Sequence, residues 1–242
     1  MLKGTAASAG YGIGNAVIIK DADLDYSALK FTTPENETSR LESAVEKFTE
    51  KTNELSERLA RDAGEKEAEI LKSHIEMIND PFMKSQMLDS VNSGSTAEAS
   101  LDSVCKMYID MFSNVDDEMT RQRASDIKDI RDDILKILLN VCETDLFSIP
   151  ENSVLIAKDF TPSMTGKMDK SKVAAIVTEI GGVTSHSAIL ARAMGIPAVL
   201  SVKGATSKIK NGEKIIADGF KGKIFASPSD EQIAQYTEKQ KE

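Results

Sequence analysis

The residues of this chain that could do chemistry lie in one short segment, residues 180–192, with the sequence IGGVTSHSAILAR. His186, one of only two histidines, follows a glycine pair and two hydroxyl side chains and precedes an apolar run with helical spacing. Thr184 or Ser185 can cap that helix, which places His186 in its first turn. There the helix dipole disfavours an imidazolium and favours a phosphoryl group attached to the ring. The segment therefore suits a neutral histidine that acts as a nucleophile.

The same residues also fit an ordinary strand–turn–helix in which His186 only caps or packs, and the residues alone leave both interpretations open. A metal site is less favoured, because His74 lies in a different part of the chain and no cysteine or carboxylate cluster accompanies His186. A serine hydrolase is not supported either, because Ser185 and Ser187 adjoin the histidine and no G-x-S-x-G sequence is present.

The two ends of the chain carry a strand–helix pattern that would position His186. Helical patterns begin after Thr161, at residues 184–185 and at Ser229, where a polar helix is predicted to run to Glu242. The glycines of AGYGIG, residues 9–14, do not form a dinucleotide-binding loop, because a strand follows where a helix is required. Apolar runs typical of strands lie at residues 2–6, 15–20, 153–157, 173–178 and 198–200, and a hairpin signal lies at 219–222.

The middle of the chain, residues 32–142, has apolar residues at helical spacing throughout. Asp80 and Pro81 predict the cap and the first position of one helix, and Ser95 to Glu98 predict a capping box at the start of the next. These apolar faces must pack on each other, which predicts a helical bundle.

The predicted fold is therefore an α/β subdomain, residues 1–21 and 144–228, interrupted by an inserted all-α subdomain, residues 32–142. Residues 229–242 are predicted to form a linker helix.

Composition restricts the partners and the compartment. The net charge of −9 argues against nucleic acid or an anionic membrane, which both favour clustered basic residues. Cys105 and Cys142 fall within helical patterns and are expected to be buried thiols in a reducing compartment. The start of the chain has no signal-peptide pattern and the apolar runs are as short as strands, so a soluble cytoplasmic protein without membrane insertion is expected.

The sequence GGVTSHSAILARAMGIPAV, residues 181–199, resembles the phosphohistidine motif of the phosphoenolpyruvate-utilising enzymes. These include Enzyme I of the sugar phosphotransferase system, phosphoenolpyruvate synthase and pyruvate phosphate dikinase. KGTAASAGYGIGNAV, LKSHIEMINDPFM, VDDEMTRQRASDIKDIRDDIL and KDFTPSMTGKM resemble segments of Enzyme I. The resemblance spans nearly the whole chain and corresponds to the N-terminal half of Enzyme I. The synthase and the dikinase lack the helical insertion.

This resemblance implies a role for each matching residue. His186 would carry the phosphoryl group on Nε2, and Thr165 and Arg192 match family positions near it, with Thr184 and Ser185 as further phosphoryl-stabilising residues. Arg192 could instead only brace the domain. The helical subdomain would dock HPr, the small histidine phosphocarrier. Six residues match positions at or near the contacts with HPr: His74, Met77, Met83, Phe112, Arg123 and Lys128. These residues could also be plain core or solvated residues.

The resemblance also assigns functions to parts that this chain does not match. Phosphoenolpyruvate, Mg²⁺ and homodimer formation would belong to the C-terminal half, so no metal is expected here and the fragment would be a monomer. Val183 and Glu67 depart from the family pattern, which usually has basic residues there, and a dedicated carrier is one explanation. The alternatives are a swivelling domain of a synthase-like or dikinase-like enzyme and a docking module without catalysis.

Overall fold

The structure, a computed structural model, describes residues 1–141 and 144–241. The chain divides into two compact units. The α/β unit comprises Met1–Asp21, Arg58–Glu67 and Thr144–Glu242, and the helical unit comprises Ala22–Glu57 and Ala68–Glu143. The predicted mixture of an α/β part and an all-α part is confirmed. Cys142, predicted to be a buried thiol, lies outside the described residues.

The helical unit is built from five helices within the described residues. Asp80 caps one of them as predicted, because its Oδ1 accepts hydrogen bonds from the N–H groups of Phe82 (2.9 Å) and Met83 (3.0 Å), and Pro81 occupies the first helical position. The helices are α1 (Pro34–Asp62), α2 (Glu65–Ile78), α3 (Pro81–Asn92), α4 (Ala97–Ser113) and α5 (Glu118–Leu138). The end of α1, from Arg58, and the start of α2, up to Glu67, fall in the α/β unit.

The capping box predicted at the start of α4 is wrong. The N-cap is Thr96, whose hydroxyl accepts a hydrogen bond from the Ala99 N–H at 3.2 Å. Glu98 is fully buried and binds Arg40 instead, and Arg40 also pairs with buried Glu37 at 2.7 Å. Because Arg40 pairs with both Glu37 and Glu98, neither buried carboxylate is left as an unpaired charge. The Glu98 side chain is therefore held by Arg40 and does not reach back to the N-cap.

The core of the helical unit consists of the apolar stripes that the sequence pattern predicts. Buried Cys105 belongs to it, and burial raises the pKa of this thiol to about 12, so it is an inert core residue. Other buried members of this core include Leu41, Phe48, Ile78, Met87, Leu101, Ile127, Ile130 and Ile134.

The described residues of the α/β unit form one sheet of eight strands, in the order β1-β8-β7-β3-β4-β5-β6-β2. Neighbours from β3 to β6 are parallel and the remaining pairs are antiparallel. Gly14 in β3 permits close contact, because a Cβ there would lie 1.8 Å from the Asn152 carbonyl oxygen. The strands are β1 (Leu2–Lys3), β2 (Thr5–Ser8), β3 (Tyr11–Ile18), β4 (Ser153–Ala157), β5 (Val173–Thr178), β6 (Ala198–Leu200), β7 (Lys214–Asp218) and β8 (Lys223–Ala226).

The described part of the α/β unit also contains a short 3₁₀ helix (Lys170–Lys172) and four further α-helices: α6 (Pro162–Lys167), α7 (His186–Ala193), α8 (Ala205–Lys208) and α9 (Asp230–Lys239). Among the described residues, no helix combines the length and the apolar character needed to cross a membrane.

The last helix, α9, packs on the sheet of the α/β unit. The role of residues 229–242 as a linker stays a prediction. Tyr236 is buried against the rings of Tyr11 and Phe225, each with its centroid 5.4 Å away. Its hydroxyl donates to Asp218 at 3.2 Å. Burial, together with this carboxylate, raises the pKa of Tyr236 to about 12. The contacts of Tyr236 therefore hold α9 to the sheet.

Candidate functional site

The candidate site lies at the end of β5, where a loop leads into α7. Gly181 has φ +109°, a torsion that residues with a Cβ rarely adopt. Ser185 is the N-cap of α7, and its hydroxyl accepts from the Ala188 N–H at 3.4 Å. His186 is the first residue of the helix and is half-buried. The predicted placement of His186 in the first turn is confirmed.

Four consecutive carbonyl groups of this loop accept hydrogen bonds from side chains. We call residues 180–183 the clamped loop. The donors come from β5, from α7 and its N-cap, and from the segment after β6. The bonds are Thr178 Oγ1 to the Ile180 oxygen (2.5 Å), Ser201 Oγ to the Gly181 oxygen (2.5 Å), Ser185 Oγ to the Gly182 oxygen (2.8 Å) and an Arg192 Nη to the Val183 oxygen (3.0 Å).

Arg192 also donates to the carbonyl oxygen of Ala7 in β2, at 2.8 Å. Its guanidinium thus joins the clamped loop to an edge strand of the sheet. This is the bracing arrangement that the sequence left open as an alternative. Direct contact of Arg192 with a phosphoryl group stays a prediction.

Thr165 lies in α6, which packs against α7. It is 2% exposed, and its hydroxyl donates to the Thr161 carbonyl oxygen at 3.1 Å. Thr184 is exposed in the turn before α7. The structure thus places Thr184, Ser185, His186 and Arg192 on one loop and helix, and Thr165 on the adjoining helix.

Sequence reasoning missed Ser187 and Ser201 as parts of the site. Ser187 is buried, and its hydroxyl donates to the Phe160 carbonyl oxygen at 3.0 Å, which attaches the start of α7 to the segment before α6. Ser201 lies 20 residues after Gly181 in the sequence. No local pattern marks Ser201, because its partner is a backbone carbonyl that only the fold brings near.

In the helical unit, two of the predicted partner-binding residues do not reach the surface. His74 is 1% exposed; its Nε2 lies 3.4 Å from Asp126 Oδ1, and its Nδ1 lies 4.0 Å from Asp129 Oδ2. Burial alone would lower the pKa of His74, but Asp126, Asp129 and Asp133 outweigh it, so the pKa is raised. Met83 is 2% exposed in the core. In this structure neither side chain can touch a partner directly.

The other four predicted residues lie nearer the surface. Met77 and Phe112 are partly buried against the core. Arg123 and Lys128 are exposed on α5, and the Lys128 ammonium pairs with Asp132 at 2.8 Å. Their role in docking stays a prediction.

A set of exposed apolar side chains on the helical unit was missed in the sequence. Met107 and Met111 lie four residues apart on α4, on the side away from the buried stripe that contains Leu101 and Cys105. The signal for them in the sequence is their i, i+4 spacing on a helical segment, outside its core stripe. We call the set the apolar surface; its members are Phe82, Met107, Met111, Val115 and Met119, and Phe82 and Met119 are 66% and 79% exposed.

Within residues 1–141 and 144–241, no group of three or more His, Cys, Asp or Glu side chains is arranged to hold a metal ion.

Two family models match the chain. The model described as PEP-utilising enzyme, N-terminal, matches residues 3–123, and the model described as PEP-utilising enzyme, mobile domain, matches residues 149–222. The second match includes the clamped loop and His186.

Curated relatives carry the name phosphoenolpyruvate-protein phosphotransferase. The protein of Listeria monocytogenes is 40% identical over 236 residues, which cover 97% of this chain and 41% of the relative. The protein of Bacillus subtilis is 34% identical over 239 residues, which cover 98% of this chain and 42% of the relative. The chain therefore spans about two fifths of the length of these relatives.

A solved structure described as the NMR solution structure of Enzyme I (nEIt) matches with a TM-score of 0.83 and 30% identity, covering 100% of this chain and 98% of that one. The N-terminal domain of Enzyme 1 – Nitrogen matches with a TM-score of 0.62 and 21% identity, and shows the fold alone. The expectation from the motif is confirmed: the chain belongs to the family of phosphoenolpyruvate-utilising enzymes and corresponds to the N-terminal part of Enzyme I.

Proposed function

We propose that this chain accepts a phosphoryl group on His186 and exchanges it with HPr, as the N-terminal part of a phosphoenolpyruvate–protein phosphotransferase. The observation that supports this most strongly is the half-buried His186 at the N-terminus of α7, three residues after the clamped loop, whose four carbonyl oxygens all accept side-chain hydrogen bonds. In the reaction, the lone pair of His186 Nε2 attacks phosphorus while the bond between phosphorus and the donor imidazole nitrogen breaks. The donor ring, which carries a proton on its other nitrogen, leaves as a neutral imidazole, so no further proton-transfer group is needed, and the accepting ring must be neutral.

The helix N-terminus supports the phosphorylated side of this exchange. Its N–H groups and partial positive charge attract the phosphoryl oxygens once they are attached to His186. Thr184, next to the N-cap, is the proposed hydroxyl donor, with Ser185 fixing the start of the helix. Thr165, on α6, is proposed as a second donor that must first release its bond to the Thr161 carbonyl oxygen.

We propose that HPr docks on the apolar surface of the helical unit. Met107 and Met111 are both exposed and lie one helical turn apart on α4, and neighbouring exposed apolar side chains commonly mark interaction sites. Met side chains also adapt to a partner's shape. Arg123 lies four residues after Met119 on α5, so both share one helix face, and an arginine beside apolar residues suits an interface rim. Met77, Phe112 and Lys128 are proposed as further contacts. His74 and Met83 would act indirectly, by holding α2 and α3 in place from within.

The remaining functions of the relatives are proposed to lie in the part of their length that this chain does not match. These are the binding of phosphoenolpyruvate and Mg²⁺ and the formation of a homodimer. We propose accordingly that this chain is a cytoplasmic monomer that uses no metal of its own.

The test is to incubate the chain with labelled phospho-HPr, and separately with labelled phosphoenolpyruvate and Mg²⁺, and to map the label by mass spectrometry. Label on His186 is expected from phospho-HPr alone, and none is expected in His186→Ala, which should still bind HPr. Label from phosphoenolpyruvate would contradict the proposed division of labour. No label from phospho-HPr would instead favour a synthase-type carrier domain or a docking module without catalysis.

Docking can be tested separately by charge reversal. Arg123→Glu is expected to weaken HPr binding in calorimetry at low salt without lowering the unfolding temperature. The control is Lys47→Glu, the same kind of charge reversal at an exposed site on α1, which carries none of the apolar surface. Equal dissociation constants for the two variants would remove Arg123 from the docking site.

A further inference from the structure

Ser201 has an unusual backbone conformation for a serine. Its φ is +56°, in the left-handed region that residues with a Cβ rarely adopt. It follows β6, and its hydroxyl donates to the Gly181 carbonyl oxygen of the clamped loop. Strained torsions of this kind persist only where the surroundings fix them, and they cluster at functional sites. Here the bond to Gly181 is the contact that the conformation makes possible.

The bond to Ser201 sets the orientation of the next peptide group. In a planar trans peptide, the carbonyl of Gly181 and the N–H of Gly182 point in opposite directions. Because Ser201 holds the carbonyl, the N–H must point to the other side of the loop. No acceptor among the described residues takes the Gly182 N–H. Gly182 is exposed, and a Cβ built on it would meet nothing within 4 Å, so this part of the loop borders open space.

The neighbouring bonds connect this peptide to the helix that carries His186. The Gly182 carbonyl oxygen accepts from the Ser185 hydroxyl at 2.8 Å and from the Ser185 N–H at 3.1 Å. Ser185 is the N-cap of α7, directly before His186. A peptide N–H that is fixed in direction and adjoins a helix N-terminus extends the set of donors available to an anion there.

We propose that Ser201 is a positioning residue for phosphoryl transfer: by anchoring the Gly181 carbonyl, it directs the Gly182 N–H toward the phosphoryl group carried by His186. This inference rests on the proposed function. The step itself stays the in-line exchange between two imidazole nitrogens. Ser201 contributes only the orientation of a backbone donor before the phosphoryl group arrives, which spares reorganisation during transfer.

Ser201→Gly separates this role from a structural one. Glycine adopts positive φ without strain, so the variant loses the hydroxyl but also loses the strain, and its unfolding temperature should not fall. The matched control is Ser227→Gly. Ser227 also has positive φ (+48°), but its hydroxyl binds Glu213 at 2.7 Å, after β8. The same substitution is thus made at two strained serines, of which only Ser201 contacts the clamped loop.

The experiment measures single-turnover transfer of label from phospho-HPr over a range of HPr concentrations, together with thermal unfolding and hydrogen exchange of the Ser185 amide. For Ser201→Gly, the maximal rate should fall about tenfold, as expected when a donor loses its fixed direction. The half-saturating HPr concentration should not change, and the Ser185 amide, which donates to the Gly182 carbonyl oxygen at 3.1 Å, should exchange faster. Ser227→Gly should match the wild-type chain in all of these.

An unchanged maximal rate in Ser201→Gly, with transfer to the wild-type chain intact, would refute this inference and leave the proposed function standing. A slower rate that is accompanied by a lower unfolding temperature, or that Ser227→Gly shares, would also refute it. No transfer to the wild-type chain would refute the proposed function and this inference together.

Discussion

Replacing His74 with alanine is expected to lower the free energy of unfolding of the helical unit by about 3 kcal/mol. The ring is 1% exposed and faces Asp126 at 3.4 Å and Asp129 at 4.0 Å. Its removal therefore leaves these buried carboxylates without the positively charged partner that the histidine provides. Breaking a buried ion pair from one side costs about 3–5 kcal/mol. The lower end applies here, because Lys136 remains paired with neighbouring Asp133 at 2.9 Å.

The size of this loss should depend on pH. Although burial favours the neutral ring, the three aspartates raise the pKa of His74 above its ordinary value of 6.5. A group whose pKa is higher in the folded state stabilises the fold fully below its unfolded pKa. This contribution disappears as the pH rises through the folded pKa. The penalty of His74→Ala should therefore be greatest below about pH 6.5 and should shrink in alkaline solution.

The assay is urea unfolding followed by circular dichroism, at about pH 6 and about pH 9, for the wild-type chain and the variant. Glu76→Ala is the control, because Glu76 is exposed on the same helix and its removal should change stability by less than about 0.5 kcal/mol. A penalty for His74→Ala that grows with pH would contradict the argument that the buried ring is cationic. If His74→Ala lowers the free energy of unfolding no more than Glu76→Ala does, the claim that His74 stabilises the buried aspartates is contradicted.

Two further predictions concern the α/β unit. Gly181→Ala should lower the free energy of unfolding by about 1–3 kcal/mol in thermal unfolding, because φ is +109° and the new Cβ would lie 3.3 Å from Ser185 Oγ. In Gly182→Ala the new Cβ meets no atom within 4 Å, so the loss should be less than about 0.5 kcal/mol. Equal losses would contradict the positive φ of Gly181. Tyr236→Phe should cost about 1 kcal/mol and speed hydrogen exchange in α9, because Asp218 loses the phenolic donor. Unchanged exchange would mean that ring packing alone holds α9.

The sequence predicts those features of the fold that depend on residues close together in the chain. Asp80 and Pro81 begin α3, and Ser229 caps α9 with Gln232 reciprocating, because each cap joins atoms within three or four positions. Ser185 as the cap before His186 is predictable for the same reason. The position of the candidate nucleophile therefore follows from local signals alone.

Features that depend on distant partners were not predictable from one sequence. The partner of Glu98 is Arg40, 58 positions earlier, and nothing near Glu98 distinguishes it from the fourth residue of a capping box. The residues around His74 in the sequence are also compatible with a surface histidine. Its partner Asp126 lies 52 positions later, on α5, and meets His74 only in the folded protein. Ser201 likewise acquires its partner only when β6 pairs with β5 and brings the end of β6 beside the loop.

The contrast between the two histidines explains why only one of them suits phosphoryl transfer. A ring that accepts a phosphoryl group must be neutral and must be reachable, and the group that it gains is strongly negative. His74 meets none of these conditions, because it is buried, its pKa is raised, and both of its nitrogens face aspartates that would repel the group. His186 is half-buried at a helix N-terminus, where a negative group is stabilised. Carboxylates around His74 favour its protonated form within the core of the helical unit, whereas the helix N-terminus beside His186 suits the proposed attachment of a negative group.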